Sequence, residues 1–218
     1  MLRNIFDWSE VWAPVIPLFA YLLCKNKGET GVIFVFTYTV IAIILNGLAD
    51  VVWHFNHLMP SWIQSNNVFY NIHSIMRCSI FSLLFIKQAD DSMKKRIYRF
   101  LLCLYFLFVI INFTTIQSIL FFSSYIFSAE GILLLIMSLP CIWQIFINET
   151  SPSIRHQPLF WIATGICIYE AINFFIFLFY SSLIKIDEYF AVHIWDIHNV
   201  FYIFFCLCLA RAIYESGR

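Results

Sequence analysis

The chain contains seven stretches that are long and apolar enough to cross a lipid bilayer as helices. A spanning helix needs about 20 mostly apolar residues. Inside hydrocarbon no water satisfies the backbone, so a single spanning segment must form its hydrogen bonds as a helix. The sequence therefore predicts an all-α, polytopic membrane bundle of seven transmembrane helices. The stretches are residues 9–24, 31–55, 67–88, 97–115, 118–147, 158–184 and 188–213.

The composition excludes a soluble enzyme and a disordered chain. Of the 218 residues, 61% are hydrophobic and 12% are charged, whereas soluble domains average roughly 45–50% and about 25%. Lys and Arg together number 13, as do Asp and Glu, so no basic excess points to a nucleic acid partner. Because the predicted loops are short, residues 1–218 are expected to form a single transmembrane domain whose main partner is the lipid bilayer.

The first stretch is short and contains Pro14 and Pro17. A shortened apolar helix of this kind forms either a tilted span or a re-entrant helix, and the length rule favours a span.

The positions of Lys and Arg predict the orientation of the bundle. Ten of them fall on one side of the predicted helices, whereas Arg3 and Lys185 fall on the other. Cytoplasmic loops carry the excess of positive charge, so the N-terminus is predicted outside and the C-terminus in the cytoplasm. The same rule accounts for a basic cluster formed by Lys94, Lys95, Arg96 and Arg99. This cluster is also a candidate contact for anionic lipid or for a cytoplasmic or membrane protein partner.

Two of the stretches begin with a similar pattern. YNIHS starts at Tyr70 and WDIHN at Trp195, so each has an aromatic residue, an Asn or Asp, an Ile and a His in order. A duplication would give two parallel three-helix units on either side of the fourth helix, a 3+1+3 arrangement that places sites at the interface between repeats. One matched segment also arises by chance, so both interpretations stay open.

Polar and ionisable residues inside the apolar stretches are the candidate site. A charge at the centre of the bilayer costs at least ~2.5–3.5 kcal/mol, so these side chains face the bundle interior or water. In the predicted orientation they converge on the outer half and line an outward-facing, ligand-binding pocket. The alternative is a purely structural network that joins helices. The candidate residues are Asp50, His73, Arg77, Glu130, Glu170, Asn173, His193, Asp196 and Asn199.

Helical spacing adds two expectations about this set. His73 and Arg77 are four residues apart and share a helix face, and His193, Asp196 and Asn199 step by three along another. An arginine in the middle of a membrane calls for a carboxylate partner. Asp50 and Glu130 are the candidates.

A metal site is a weaker interpretation of the same residues. Zinc held by His and Asp with one open position would activate water, and the protein would then be an intramembrane hydrolase of lipids. However, His193 and His198 are five apart, whereas a spacing of three or four places two ligands on one face. No cofactor is therefore predicted, and zinc is kept as the alternative.

Four segments carry a resemblance to a known group of proteins. They are PVIPLFAYLL, VFYNIHSIMRCSIFSLLF, PLFWIATGICIYEAINFFIFLF and IWDIHNVFYIFF. The chain resembles small seven-helix inner-membrane proteins of unassigned function from Bacteroidota-type bacteria. The resemblance implies a multi-pass protein of a bacterial inner membrane and carries over no functional residue. That group is expected to have an acidic residue where this chain has Arg77, so the polar core departs from its pattern.

Three functions fit these observations. The leading hypothesis is an integral membrane binding protein, either a receptor-like sensor subunit or a small transporter, that uses the polar outward-facing cavity. The alternatives are the metal-dependent lipid hydrolase and a structural subunit of an inner-membrane complex.

The predicted orientation is tested with reporters fused to the C-terminus. Because positive charge marks the cytoplasmic side, a fluorescent protein fused after Arg218 should fluoresce, and alkaline phosphatase at the same position should be inactive. Active phosphatase together with a dark fluorescent fusion would reverse the orientation.

Overall fold

The computed structural model describes residues 8–60, 65–147 and 154–217, so Arg3 and Arg218 lie outside the described residues. Within these ranges the chain is helical, with no strand. Short turns of other helix types cover Asn56–Leu58, Asn112–Ile116 and Ile154–His156. The α-helices are α1 (Ser9–Trp12), α2 (Val15–Leu23), α3 (Thr30–His54), α4 (Asn67–Gln88), α5 (Ser92–Ile111), α6 (Ser124–Ile147), α7 (Pro158–Ile186) and α8 (Glu188–Ser216).

The six helices α3 to α8 are long and apolar enough to cross a membrane. The most apolar window of each has a mean hydropathy between 1.3 and 2.3 and holds at most two charged residues. These helices indicate an integral, multi-pass membrane protein and agree with the predicted helical membrane bundle.

The first apolar stretch forms two helices because prolines interrupt it. Pro14 has no amide hydrogen to donate and sits immediately before α2, a place where a proline is tolerated. Together α1 and α2 cover Ser9–Leu23, roughly 22 Å at 1.5 Å per residue, against about 30 Å of hydrocarbon. A complete seventh span therefore stays a prediction.

Five of the long helices and α2 form a closed ring. Around it, α4 contacts α6, α6 contacts α7, and α7 contacts α8; α2 then packs between α8 and α3, and α3 returns to α4. Helix α5 lies outside the ring against α4 and α6, with only 22% of its apolar window buried. Its remaining surface is suited to lipid, and the ring encloses the interior.

The predicted span 118–147 begins later in the structure, at Ser124. The preceding turn is held against α4 by Asn71, whose side-chain amide donates to the carbonyl oxygens of Ile119 at 2.8 Å and Phe121 at 2.9 Å. The Asn71 Oδ1 accepts from the backbone of Ser123 at 3.2 Å. These bonds fix the height at which α6 enters the bundle.

Helices α7 and α8 pack closely at a glycine. A Cβ atom added at Gly165 would lie 2.7 Å from the Cβ of Cys208 and 3.3 Å from the ring of Phe205. Small residues let helix backbones approach in membranes, where packing rather than the hydrophobic effect joins helices.

We expect Gly165→Ala to lower the free energy of unfolding by about 1–3 kcal/mol, because the added methyl group must push α7 and α8 apart. The measurement is thermal melting of the purified protein in detergent. Gly47→Ala is the matched control, since a Cβ at Gly47 meets no atom within 4 Å. Equal melting of both variants would contradict this account of the contact.

Candidate functional site

A two-point ion pair joins α4 to α6 inside the ring. Arg77 Nε lies 2.6 Å from Glu130 Oε1, and its Nη2 lies 2.9 Å from Oε2. Arg77 is 2% exposed and Glu130 is fully buried. Two parallel bonds between a guanidinium and a carboxylate are among the strongest polar contacts in proteins. The expectation of a carboxylate partner is confirmed, and of Asp50 and Glu130 the structure selects Glu130.

Neighbouring side chains complete the shell of this pair. The hydroxyl of Ser74 donates to Glu130 Oε2, and Arg77 Nη1 donates to the hydroxyl oxygen of Tyr169 on α7 at 2.8 Å. The guanidinium carbon also lies 4.8 Å from the centre of the Tyr169 ring. The ion pair thus connects α4, α6 and α7.

Glu170 is a second carboxylate beside the same arginine. Its Oε1 lies 3.5 Å from Arg77 Nε, beyond a good hydrogen bond, and the side chain is 1% exposed. In the part of the chain that the structure describes, neither carboxyl oxygen of Glu170 has a hydrogen-bond partner. Gly131 makes room for it, since a Cβ there would lie 3.2 Å from Oε2. Arg77 therefore compensates one carboxylate well and the other poorly.

A second buried network centres on His198 of α8. His198 Nε2 lies 3.0 Å from Glu10 Oε1, and its Nδ1 lies 2.8 Å from Asn173 Oδ1. Asn173 donates its own amide to the carbonyl oxygen of Tyr169, so its oxygen is the atom that faces the histidine. With an acceptor at each ring nitrogen, either His198 is doubly protonated or Glu10 carries the proton.

Glu10 is held in place by α3. Asn46 donates to its backbone carbonyl oxygen at 2.7 Å, and α1 packs on both α3 and α8. The turn of helix at Ser9–Trp12 therefore belongs to the interior of the bundle.

The two networks face a common cavity of about 20 Å³. Glu10, His73, Arg77 and His198 are among the residues that line it. A cavity of this size holds about one water molecule when polar partners surround it. His73 packs flat against Tyr38, with ring centres 5.7 Å apart, and its Nε2 is buried with no hydrogen-bond partner among the described residues.

A much larger vestibule of about 660 Å³ lies at the end of the bundle where α3 ends and α4 and α8 begin. Tyr70 and Trp195 line both the vestibule and the small cavity. Their ring centres are 6.3 Å apart in an edge-to-face arrangement. These two rings form the partition between the vestibule and the polar interior.

Toward the opposite end, the interior is closed by apolar side chains. Phe81 and Phe205 are fully buried and meet edge to face, with ring centres 5.7 Å apart. A separate cavity of about 200 Å³ lies at that end, lined among others by Asp90, Lys94 and Gln144. The polar cluster is thus nearer to an entrance from the vestibule than from the other end.

Most of the residues singled out from the sequence line one of these cavities or contact a side chain that does. His73 and Arg77 line the small cavity. Glu130 and Glu170 contact Arg77. Asn173 reaches the same interior through His198.

Asp50 and Asn199 lie farther out, on the wall of the vestibule. Asp50 is close to His54 of its own helix, with 3.4 Å between Oδ1 and Nδ1. Both therefore belong to the vestibule rather than to the cluster around Arg77, Asp50 as a partly exposed residue and Asn199 as a buried one.

Two residues of the proposed face of α8 lie outside the cluster. His193 is exposed, and its Nδ1 lies 2.8 Å from the carbonyl oxygen of Tyr189 one turn earlier. Asp196 is half-buried and lines neither the vestibule nor the small cavity. On this helix it is His198 that faces the interior.

Glu10 and His198 are the site residues that sequence reasoning missed. Glu10 lies at the very start of the first apolar stretch, where a charged residue is expected to face water at the membrane surface, whereas α1 folds it inward. For His198, the available signal was the apolar face that it shares with Tyr202 and Phe205, both buried.

No group of three or more His, Cys, Asp and Glu side chains that could hold a metal occurs within residues 8–60, 65–147 and 154–217. The zinc alternative stays a hypothesis for metal analysis of the purified protein. No protein-family model, curated protein or solved structure matches the chain.

Breaking the buried ion pair should destabilise the protein strongly. We expect Arg77→Met to lower the free energy of unfolding by about 3–5 kcal/mol, because it leaves the Glu130 charge buried and unpaired. The double variant Arg77→Met/Glu130→Leu should recover part of the loss, since it removes both charges.

Thermal melting in detergent measures these changes, and Arg99→Met, at an exposed position on α5, is the matched control. A double variant that is less stable than Arg77→Met alone would show that the unpaired Glu130 charge does not cause the loss of stability.

Proposed function

We propose that this protein is a small, proton-linked membrane transporter that receives its substrate in the vestibule. The observation that carries the proposal is a poorly compensated buried carboxylate, Glu170, beside Arg77. Arg77 lines a water-sized cavity that shares Tyr70 and Trp195 with the vestibule. This arrangement develops the binding-protein hypothesis and favours transport over sensing or a structural role.

The balance of charge supports a proton on Glu170. Arg77 neutralises Glu130 through two hydrogen bonds, and His198 faces Glu10 with one proton to share. Among the described residues, Glu170 has only the 3.5 Å contact of its Oε1 with Arg77 Nε and no hydrogen bond. Because an unpaired charge in hydrocarbon costs at least ~2.5–3.5 kcal/mol, the stable form of this arrangement has Glu170 protonated. Movement of Arg77 toward Glu170, or entry of water, would release that proton.

Unequal access from the two ends also supports transport. A transporter exposes its polar site to one side at a time. Here the vestibule approaches the cluster from one end, while Phe81 and Phe205 close the other. Opening of the Phe81–Phe205 contact, with the Tyr70–Trp195 partition kept closed, would give the opposite state.

The order of the helices around the bundle is consistent with the predicted 3+1+3 repeat. Helix α5, the connecting helix of that scheme, packs outside the ring. His73 and His198, which correspond in the two matched segments, line the same small cavity. A parallel repeat places equivalent residues about a shared central site, and we propose that these histidines are such a pair.

In the proposed orientation the vestibule opens to the outside of a bacterial inner membrane. The basic segment with Lys94, Lys95, Arg96 and Arg99 then lies in the cytoplasm, against anionic lipid or a partner protein.

The protonation of Glu170 tests the proposal. We expect infrared difference spectra of the protein in lipid nanodiscs, between neutral and alkaline buffer, to contain the band of a buried carboxylic acid. Glu170→Gln should weaken this band because it removes one acid, and any part of the band that remains belongs to Glu10. Glu29→Gln, outside the polar cluster and immediately before α3, should leave it unchanged.

The wild-type spectrum decides the question even if the Gln variant folds poorly. A neutral-pH spectrum without a carboxylic acid band contradicts proton linkage at Glu170, and so does a band of undiminished intensity in a folded Glu170→Gln variant.

A further inference from the structure

The vestibule has walls made largely of aromatic rings. Its volume, about 660 Å³, falls within the range of roughly 300–1,000 Å³ that is typical of sites for small molecules. Aromatic rings present a negative face that attracts cations. The rings that line the vestibule are Trp8, Trp53, Tyr70, Phe122, Tyr180 and Trp195.

The other lining groups add hydrogen-bond acceptors and negative charge. Asp50 supplies the only carboxylate among the described residues of the wall, and no Lys or Arg belongs to that set. Apart from the phenols of Tyr70 and Tyr180, the remaining titratable group is His54, one turn along α3 from Asp50. Asn199 lines the deeper wall, and its buried Oδ1 has no hydrogen-bond partner among the described residues.

Some of these rings would occur at a membrane surface in any case. Trp8 and Trp53 are largely exposed, as is usual for the aromatic belt at the interface. Tyr70 and Trp195 differ because they are partly buried and meet each other between the vestibule and the interior. The inner end of the vestibule therefore has aromatic walls that the belt does not explain.

We propose that the vestibule binds a small organic cation of the substituted-ammonium class, an inference that rests on the proposed function and names its substrate class. The alkylated ammonium group packs against the faces of Trp195 and Tyr70, with Asp50 as the counter-charge and Asn199 Oδ1 as an acceptor. An anionic ligand would meet aromatic faces and a carboxylate with no Lys or Arg in the described wall. A neutral ligand would carry no positive charge to pair with the Asp50 carboxylate.

The site is connected to the proton-binding groups through Trp195. Its ring centre lies 4.7 Å from that of His198, which faces Glu10 and Asn173. A cation against Trp195 thus sits one aromatic ring away from the His198–Glu10 contact, in which the two side chains share a proton. Repulsion between the bound cation and a protonated His198 provides a physical basis for exchange of one positive charge for the other.

The test compares three probes of similar size and different charge. They are choline, its neutral carbon isostere 3,3-dimethylbutan-1-ol, and the anion 3-methylbutanoate. Binding to the full chain in nanodiscs is measured by calorimetry and by tryptophan fluorescence. We expect saturable binding of choline and, because the isostere has the same shape without the charge, binding of the isostere that is weaker by about tenfold or more.

Substitutions locate the binding. Asp50→Asn and Trp195→Leu should each weaken choline binding by about tenfold, through loss of the counter-charge and of a cation–π contact. Trp143→Leu is the matched control, because Trp143 is an exposed tryptophan near the last residue of α6, at the end of the helix away from the vestibule. It should leave the affinity unchanged.

Each remaining outcome overturns the inference in a recognisable way. Equal or tighter binding of the isostere or the anion shows that the vestibule binds ligands of another class, and the proposed function survives. If choline binds equally well to the folded Asp50→Asn and Trp195→Leu variants, its binding site lies outside the vestibule. If no probe binds while the Glu170 band behaves as expected, the cation class alone is wrong. If no probe binds and the band is absent, the proposed function fails as well.

Discussion

The contact between Arg77 and Glu130 is the constraint around which this bundle is organised. A guanidinium in the middle of an apolar helix cannot remain unpaired in hydrocarbon, and this one is satisfied by side chains from two other helices. Glu130 on α6 takes two of its hydrogen bonds and Tyr169 on α7 takes another. Hydrophobic burial contributes little to helix association inside a bilayer, because lipid tails are as apolar as leucine. The ion pair and close contacts such as that at Gly165 therefore determine how α4, α6, α7 and α8 meet.

This pairing leaves Glu170 as an excess carboxylate, and that excess connects the architecture to a function. A purely structural network would be expected to satisfy its buried acceptors, since an unpaired polar group in the interior is costly. Glu170 and His73 are among the buried side chains with unsatisfied polar atoms in the described part of the chain, and both lie next to Arg77. Arg77 lines a cavity the size of a water molecule, and the vestibule lies beyond Tyr70 and Trp195. Proton binding in the interior and cation binding in the vestibule would then be coupled through Trp195 and His198, which are in direct contact.

The candidate site was only partly predictable from the sequence, and α8 shows why. His193, Asp196 and Asn199 share a helical spacing, so their pattern favoured one polar face. The structure turns His198 inward instead, because Tyr202 and Phe205 on its side of the helix pack into the core. Spacing tells which residues share a face, but not which of two faces a neighbouring helix will cover. Glu10 illustrates a second limit, since a break at Pro14 allows a short helix to fold an apparent loop residue against α3 and α8.

The sequence by itself determined the fold class, the approximate position of six long helices and the residues too polar to face lipid. Each of these follows from local properties, namely the length of an apolar run and the cost of a charge in hydrocarbon. Only the tertiary structure decided that Arg77 pairs with Glu130 rather than Asp50, that Glu170 is left over, and that Glu10 meets His198 across 188 residues of sequence. Those outcomes depend on which helices become neighbours and at what height, and both are properties of packing between helices that no single helix contains.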